Sequence, residues 1–551
     1  MNCAEALVRM LENLGITHVF GIPGAKIDAL FIALLDSKIE LVVCRHEQNA
    51  AFMASAMGRM TGRVGVCLVT SGPGVSNLVT GLVTATSEGS PVLAIGGEVP
   101  LEDRLKQTHQ SFDGVSVLRP VTKYAAEVVA PTELGDIFGN AVRAAQSGRP
   151  GAAFISLPHD ISLAPFAGTI SPALGIPPEQ GPGARSEIEK AAALINASRK
   201  PAILLGMQSS NPRDAETVRQ FVTESTLPYV STFQGAGAWA GTKGGTDFAG
   251  RVGIFSNQPG DRLLQESDCV ITIGYNPIEY DASLWNAART GNLIAIDVIS
   301  SDQDRNFLPE AEIVGDLSAS LAVLLPLLKP RIKLAYSEEL QAARKEIADI
   351  AASGAGHSGF PIHPLRVIHE LRQVVTDQTT LSLDIGSMYI WMERYFPAAF
   401  PRQFLVSNGQ QTLGVGLPSA MAANFARPGT PVISLSGDGG FLFSAMELET
   451  AKRVGSRFVH LIWDSGTYDM VAFQEEAHYG GRTAGIQLGQ IDIVAFAAAF
   501  GCLGIQIAKA EDLGPALREA LASPVPVLIN IPIDYSENLS LMKDVHRAVV
   551  H

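Results

Sequence analysis

Cysteine is scarce. The 551-residue chain has five (Cys3, Cys44, Cys67, Cys269 and Cys502), scattered, with no CxxC pair and no matching histidine spacing. A disulfide framework and a zinc module are therefore not expected, and the thiols read as reduced packing residues of a cytosolic protein. Charge is also sparse at 17%, and it leans one way, with 41 Lys and Arg against 55 Asp and Glu, a formal −14. An acidic surface argues against a nucleic-acid or anionic-membrane partner. No uninterrupted apolar run is long enough to span a bilayer. The opening "MNCAEALVRMLENLGITHVFGIPG" reads as an amphipathic helix, a strand and a turn. It lacks a basic segment followed by a long apolar stretch, so no signal peptide is expected and the localisation predicted is cytoplasmic.

What the chain does have is apolar residues (46%), 53 glycines and 32 prolines. That is globular composition with many turns. Two segments dense in Pro or Gly, "SPALGIPPEQGPGARSE" and "ASGAGHSGFPIHP", read as linkers. They divide the chain into expected domains at 1–170, 186–350 and 360–551. Each block alternates short β-branched runs, such as "RVGVCLVTSGPG", "DCVITIGY" and "PVISLSGDGG", with helical patterns. Continuous apolar strands predict parallel sheets covered on both faces, hence an α/β fold of three doubly wound domains. Ligands of such folds bind outside the carboxyl ends of the strands, where nearly all the Gly-rich turns fall.

One of those turns poses an electrostatic problem. In "SLSGDGGFLFS", Asp438 sits among glycines 437, 439 and 440, ahead of a predicted helix. The glycines let backbone N–H groups approach an anion at a helix start. A carboxylate there as well calls for a cation between the two, and Mg²⁺ is the usual solution. A helix and a strand later, "DSGTYDMVAFQ" brings a second polar turn to the neighbouring strand end.

GDG followed about 25 to 30 residues later by such a turn resembles the thiamine-diphosphate motif of the decarboxylase and synthase superfamily. An independent half lies in the first block. "VVCRHEQNAAFMASAMGRMTG" resembles the superfamily's strand–Glu–helix segment, and "VTSGPGVSN" its pyrimidine-contact turn. "GIPGAKID", "KQTHQSFD" and "SNGQQTLGVGLPSA" are similar to acetolactate synthases, and most of all to the catabolic, flavin-independent group. The similarity runs across nearly the whole chain.

The resemblance implies a function: decarboxylation of pyruvate on thiamine diphosphate and ligation of the hydroxyethyl carbanion to a second pyruvate, giving 2-acetolactate and CO₂. Another decarboxylase or carboligase of the superfamily is the alternative. It implies that Glu47 serves the cofactor's pyrimidine as a buried carboxyl of raised pKa, with Pro23, Thr70, Pro73 and Asn77 cradling that ring. Leu413 would wedge between the cofactor rings, and the Gln411 carbonyl would accept from the amino group. The backbone of Gly386 and Ser387, Gly439, Gly440 and the turn through Tyr468 would meet the diphosphate, and Met470 would touch the cofactor and line the acceptor pocket. Asp438, Ser465 and the Thr467 carbonyl would hold Mg²⁺. Relatives carry Asn or Asp where Ser465 stands, so either Ser465 or the adjacent Asp464 is the second ligand. Gln110 and His109 would act on the substrate, with Val471, Gln474 and Lys26 around the acceptor. Gln474 replaces the Trp of biosynthetic relatives, which points to pyruvate as acceptor. The central block, with "ILLGMQSSNP" and no GxGxxG, gives flavin adenine dinucleotide little support. The expected assembly is at least a homodimer, with a homotetramer of two such dimers.

Overall fold

The computed structural model describes residues 1–238, 248–256, 258–288, 291–330 and 337–542. Three six-stranded sheets follow one another along the chain, every pairing parallel. The first contains β1 (His18–Gly21), β2 (Glu40–Val43), β3 (Gly65–Val69), β4 (Val92–Glu98), β5 (Tyr124–Glu127) and β6 (Ala152–Pro158). The second contains β7 (Pro201–Leu205), β8 (Tyr229–Thr232), β9 (Phe248–Val252), β10 (Cys269–Ile273), β11 (Asn292–Asp297) and β12 (Ala311–Val314). The third contains β13 (Thr380–Leu383), β14 (Phe404–Leu405), β15 (Val432–Gly437), β16 (Val459–Asp464), β17 (Leu503–Gln506) and β18 (Val527–Pro532).

Helices flank each sheet, and the middle strands β3, β4, β6, β7 and β10 are buried along their whole length. This is the α/β, doubly wound architecture that the continuous apolar runs predict.

Strand order matters for function. The first sheet runs β2-β1-β3-β4-β6-β5 and the third β14-β13-β15-β16-β18-β17, which is the same order. In both, the chain reverses direction across the sheet beside its first strand, opening a crevice at the carboxyl ends of β1 and β3, and of β13 and β15. The central sheet runs β12-β11-β10-β7-β8-β9, the order of dinucleotide-binding folds, with its crevice at β7 and β10.

By internal contacts the chain forms two compact units. One comprises Met1–Pro178 with Leu417–Gly429 and Ser444–Ser456, and the other Glu179–Gly416, Thr430–Phe443 and Arg457–His551. Within the first, the helix Glu47–Thr61 is buried on almost every face and starts at an N-cap, His46, that accepts the Gln48 N–H. Its close seat depends on small residues. A Cβ at Gly65 would lie 1.9 Å from the Ala54 carbonyl oxygen, and one at Gly58 2.2 Å from that of Pro91. No described helix is long and apolar enough to cross a membrane.

Candidate active site

In the first unit the candidate residues gather at the carboxyl edge of the first sheet. Glu47 opens the helix that follows β2, and its Oε2 accepts the Asn77 Nδ2–H at 2.9 Å. Asn77 closes the short helix Pro73–Ser76 after β3. A Cβ on Gly74 would lie in ordinary contact with Glu47 Oε1, at 3.7 Å. Gln110 rides over Gly72, whose added Cβ would lie 3.2 Å from the Gln110 Cβ. Both hold left-handed backbone, φ +62° at Gly72 and +65° at Gln110. The Ser71 hydroxyl donates to Gln110 Oε1 at 3.4 Å, and the amide N–H₂ is the donor end of that side chain.

Thr70 packs against Gly24, where a Cβ would meet the Thr70 side chain at 2.6 Å, and its hydroxyl is buried without a partner. Pro23, Pro73 and His109 are exposed, and Lys26 is half-buried with its backbone carbonyl against Gly97. Glu47, expected buried, is half-buried, because it stands at the open edge of the sheet.

A residue that the sequence reading passed over holds this edge together. Glu447, wholly buried, accepts the N–H groups of Arg45 (2.9 Å) and His46 (3.1 Å) and the side chain of Asn49 (3.0 Å) on Oε1. Thr450 donates to its other oxygen at 2.6 Å. Burial pushes its pKa up, and these hydrogen bonds oppose the shift. Glu447 thus fixes the segment that delivers Glu47. Its signal was faint: a carboxylate on the apolar face of "SAMELETA".

In the second unit the crevice at β13 and β15 carries the other candidates. Asp438 follows β15, and its Oδ2 accepts the Gly466 N–H at 2.8 Å. Its Oδ1 is buried with no protein partner. Burial first, then the nearby Asp464, pushes its pKa up to about 7. Asp464 itself accepts from Asn530 Nδ2 at 3.0 Å. The Ser465 hydroxyl reaches the Thr467 carbonyl at 3.2 Å and the Thr467 hydroxyl at 3.1 Å. Asp438, Gly439, Asp464, Tyr468, Leu488 and Asn530 border a cavity of about 390 Å³. Tyr468 lies over Gly439, where a Cβ would approach its ring to 2.6 Å.

Asp384, also missed from sequence, shapes the turn that bears Gln411 and Leu413. Buried at the end of β13, it accepts the N–H groups of Gly414 (2.9 Å), Gly416 (3.2 Å) and Ile385 (2.8 Å). Burial pushes its pKa up to about 6. Gln411 takes a left-handed φ of +49°, and Leu413 is half-buried against the core of the third sheet.

Gly386 and Ser387 start the helix Ser387–Tyr395. The Ser387 N–H is already engaged by Asp469 Oδ2 at 3.0 Å, and its hydroxyl oxygen accepts from Asn538 at 2.8 Å. On the helix Asp469–His478, Met470 packs on the same core, Gln474 is half-buried and Val471 is exposed.

These turns offer oxygen donors: one unpartnered carboxylate oxygen, a hydroxyl and a carbonyl. Such a set suits a hard divalent cation that completes its shell with phosphate and water. Among the described residues no group of three or more His, Cys, Asp or Glu is arranged for a metal.

Comparison with known proteins gives these features a family. Residues 1–117 match the model "Thiamine pyrophosphate enzyme, N-terminal TPP binding domain", 188–324 match its central domain and 384–531 its C-terminal TPP binding domain. The chain is 44% identical over 545 residues to "Acetolactate synthase" of Bacillus subtilis (strain 168), covering 98% of this chain and 95% of that protein. It is 44% identical over 545 residues to "Acetolactate synthase, catabolic" of Raoultella terrigena, covering 98% and 97%. A "Probable acetolactate synthase large subunit" of Methanocaldococcus jannaschii is 31% identical over 559 residues, covering 98% and 93%. With two carboxyl-edge crevices of one topology and relatives matched along nearly its whole length, the chain belongs to the thiamine pyrophosphate enzymes, in the acetolactate synthase family.

Proposed function

We propose that the chain is an acetolactate synthase that decarboxylates one pyruvate, joins the remaining two-carbon unit to a second pyruvate and releases 2-acetolactate and CO₂. The observation that carries this reading is the pairing of two crevices of the same strand order. One bears Glu47 fixed by Asn77, and the other bears Asp438 with a buried, unpartnered oxygen. Thiamine diphosphate, when bound, supplies the nucleophilic carbon and the electron sink that the protein's own side chains lack.

The residues divide the remaining work. Glu47 holds a proton at the pyrimidine nitrogen through Oε1, because Oε2 is committed to Asn77. Pro23, Thr70, Pro73 and Asn77 seat that ring. Leu413 would pack against the cofactor from the core of the third sheet, and the Gln411 carbonyl would accept from its amino group. Gly386, Gly439 and Gly440 leave space for the diphosphate, with Tyr468 and Met470 beside it. Ser387 borders the diphosphate at the helix start, its N–H and its hydroxyl both held by Asp469. Asp438, Ser465 and the Thr467 carbonyl hold Mg²⁺, the unpartnered Asp438 oxygen being the anchor.

Gln110, its amide oxygen accepting from Ser71, donates to the carbonyl oxygen of the reacting 2-oxo acid. His109 on the same turn supplies or takes a proton. Val471 and Gln474 border the acceptor, and Lys26 attracts its carboxylate. The smallest proposed assembly is a homodimer and the working one a homotetramer. A cytoplasmic setting is supported by five buried, free thiols.

Incubation with pyruvate, thiamine diphosphate and Mg²⁺ tests the reading. Acetolactate, converted to acetoin on acidification, is the expected product. Acetaldehyde alone would make the chain a simple decarboxylase, and no saturable cofactor binding would remove the enzyme reading.

A further inference from the structure

The central sheet has the strand order that binds dinucleotides, with its crevice at the carboxyl ends of β7 and β10. In such folds the backbone N–H after the first strand meets a phosphate. Here that N–H belongs to Met207, and it donates to the carboxylate of Glu279 at 2.7 Å. The Thr232 hydroxyl, at the end of β8, donates to the same oxygen at 2.5 Å. The N–H of Asn276, on the loop after β10, donates to the other oxygen at 2.8 Å. Glu279 is 2% exposed and Met207 is fully buried. An anion from the chain itself therefore stands where a phosphate would stand.

The space around it is closed as well. A Cβ on Gly206 would lie 2.3 Å from the Tyr275 Cα, and one on Gly274 2.8 Å from the Gln208 Cβ. The two turns that would flank a pyrophosphate are packed directly on each other. Flavin adenine dinucleotide does not fit this arrangement. Its diphosphate would have to displace a buried carboxylate from the donors that hold it among the described residues, the Met207 and Asn276 N–H groups and the Thr232 hydroxyl.

The plug also reaches the third sheet within the same compact unit. Asn408, three residues before Gln411, donates its side chain to the Glu279 carbonyl at 2.8 Å and accepts from the Tyr389 hydroxyl at 3.1 Å. Arg402 donates to the carbonyls of Met207 and Ser210, each at 3.1 Å. The segment leading to Leu413 is thus fastened to the turns that Glu279 organises.

We infer that Glu279 is a built-in anion that occupies the phosphate position of the central crevice and closes it to dinucleotides, on turns whose backbone carbonyls also hold Arg402 and Asn408. Its local part is independent of the proposed reaction, so it stands or falls apart from that reading.

Anion rescue of Glu279→Ala, followed by thermal unfolding of the full chain with its cofactor, tests it. The variant leaves the three donors facing an empty, carboxylate-sized space. It is expected to melt several degrees below the wild type and to regain part of that loss in sodium formate or acetate, but not in sodium chloride of equal ionic strength. Glu279→Gln, which fills the space and sets an N–H₂ against N–H donors, should melt lower and show no formate rescue. Wild-type melting of Glu279→Ala, or equal responses to formate and chloride, would overturn the inference. Should neither variant fold, hydrogen exchange on the wild type decides: strong protection of the Met207 and Asn276 amides is expected, and rapid exchange of either refutes the plug. Saturable quenching of flavin adenine dinucleotide fluorescence by the wild type would also refute it.

Discussion

Asp438 gives one carboxylate oxygen to the Gly466 N–H at 2.8 Å and keeps the other buried with no partner. An ionised oxygen in that position is costly unless a cation meets it. Asp464 borders the same cavity as Asp438 and accepts from Asn530, and the Ser465 hydroxyl lies on the adjoining turn against Thr467.

Metal affinity should follow those charges. Asp438→Ala is expected to weaken Mn²⁺ binding in the presence of thiamine diphosphate by roughly 100-fold or more, about 2.7 kcal/mol. Asp464→Asn should weaken it by roughly tenfold as an outer-shell charge. Ser465→Asp should tighten it. Electron paramagnetic resonance of free Mn²⁺ reads all three, and an Asp438→Ala protein with unaltered affinity would remove Asp438 as a ligand.

Glu47→Gln keeps the shape of the side chain and removes the exchangeable proton. Turnover should fall by roughly 10² to 10⁴, the usual span of one acid–base group. Thermal unfolding should stay within about a degree of the wild type. Near-normal turnover would sink the assigned role. Asn77→Ala frees Oε2 and should cost less, on the order of tenfold.

Glu447 predicts a stability effect. Glu447→Ala leaves two backbone N–H groups and the Asn49 side chain without their acceptor. The loss should be on the order of 3 kcal/mol, given about 1 to 3 kcal/mol for each orphaned buried donor and incomplete additivity. Glu447→Gln retains one acceptor oxygen and should lose less. Urea unfolding that ranks the two alike would show that the carboxylate does not hold the 45–49 segment.

His460 sets a pH dependence. Its ring lies buried between the hydroxyls of Ser434 (2.6 Å) and Ser436 (2.8 Å), and burial pushes its pKa down to about 3. In the unfolded chain the value is about 6.5. Between these limits the unfolded state binds a proton that the folded state refuses, so stability falls as pH drops below about 6.5 and stops falling near 3. The slope from this residue approaches about 1.4 kcal/mol per pH unit in the middle of that window. His460→Gln cannot titrate. The wild-type minus variant difference in unfolding free energy should therefore decline from pH 7 to pH 4, and a flat difference would refute the shift.

Much of this was readable before any coordinates. β-branched runs without alternation fixed parallel, two-sided sheets, and the glycines around Asp438 marked a strand end that a ligand approaches. The resemblance assigns Glu47 and Asn77 to one cradle, and the two side chains meet at 2.9 Å. The supporting carboxylates were not legible. Glu447, Asp384 and Glu279 each join a neighbouring donor to donors far away along the chain, and no local spacing records the distant ones. The resemblance sets Ser387 against the diphosphate, yet its N–H donates to Asp469, 82 residues on, a meeting that no local spacing records.

The close seat of the Glu47–Thr61 helix carries a lesson for mutational scanning. A single methyl at Gly58 or Gly65 would collide with a carbonyl oxygen, and one at Gly81 would meet the Ala51 methyl at 2.4 Å. Relief can come only by sliding the helix outward, and its first residue moves with it. Alanine at these three positions should therefore appear among inactivating changes although none of them touches a reactant, and a survey ranked by chemistry alone would overlook them.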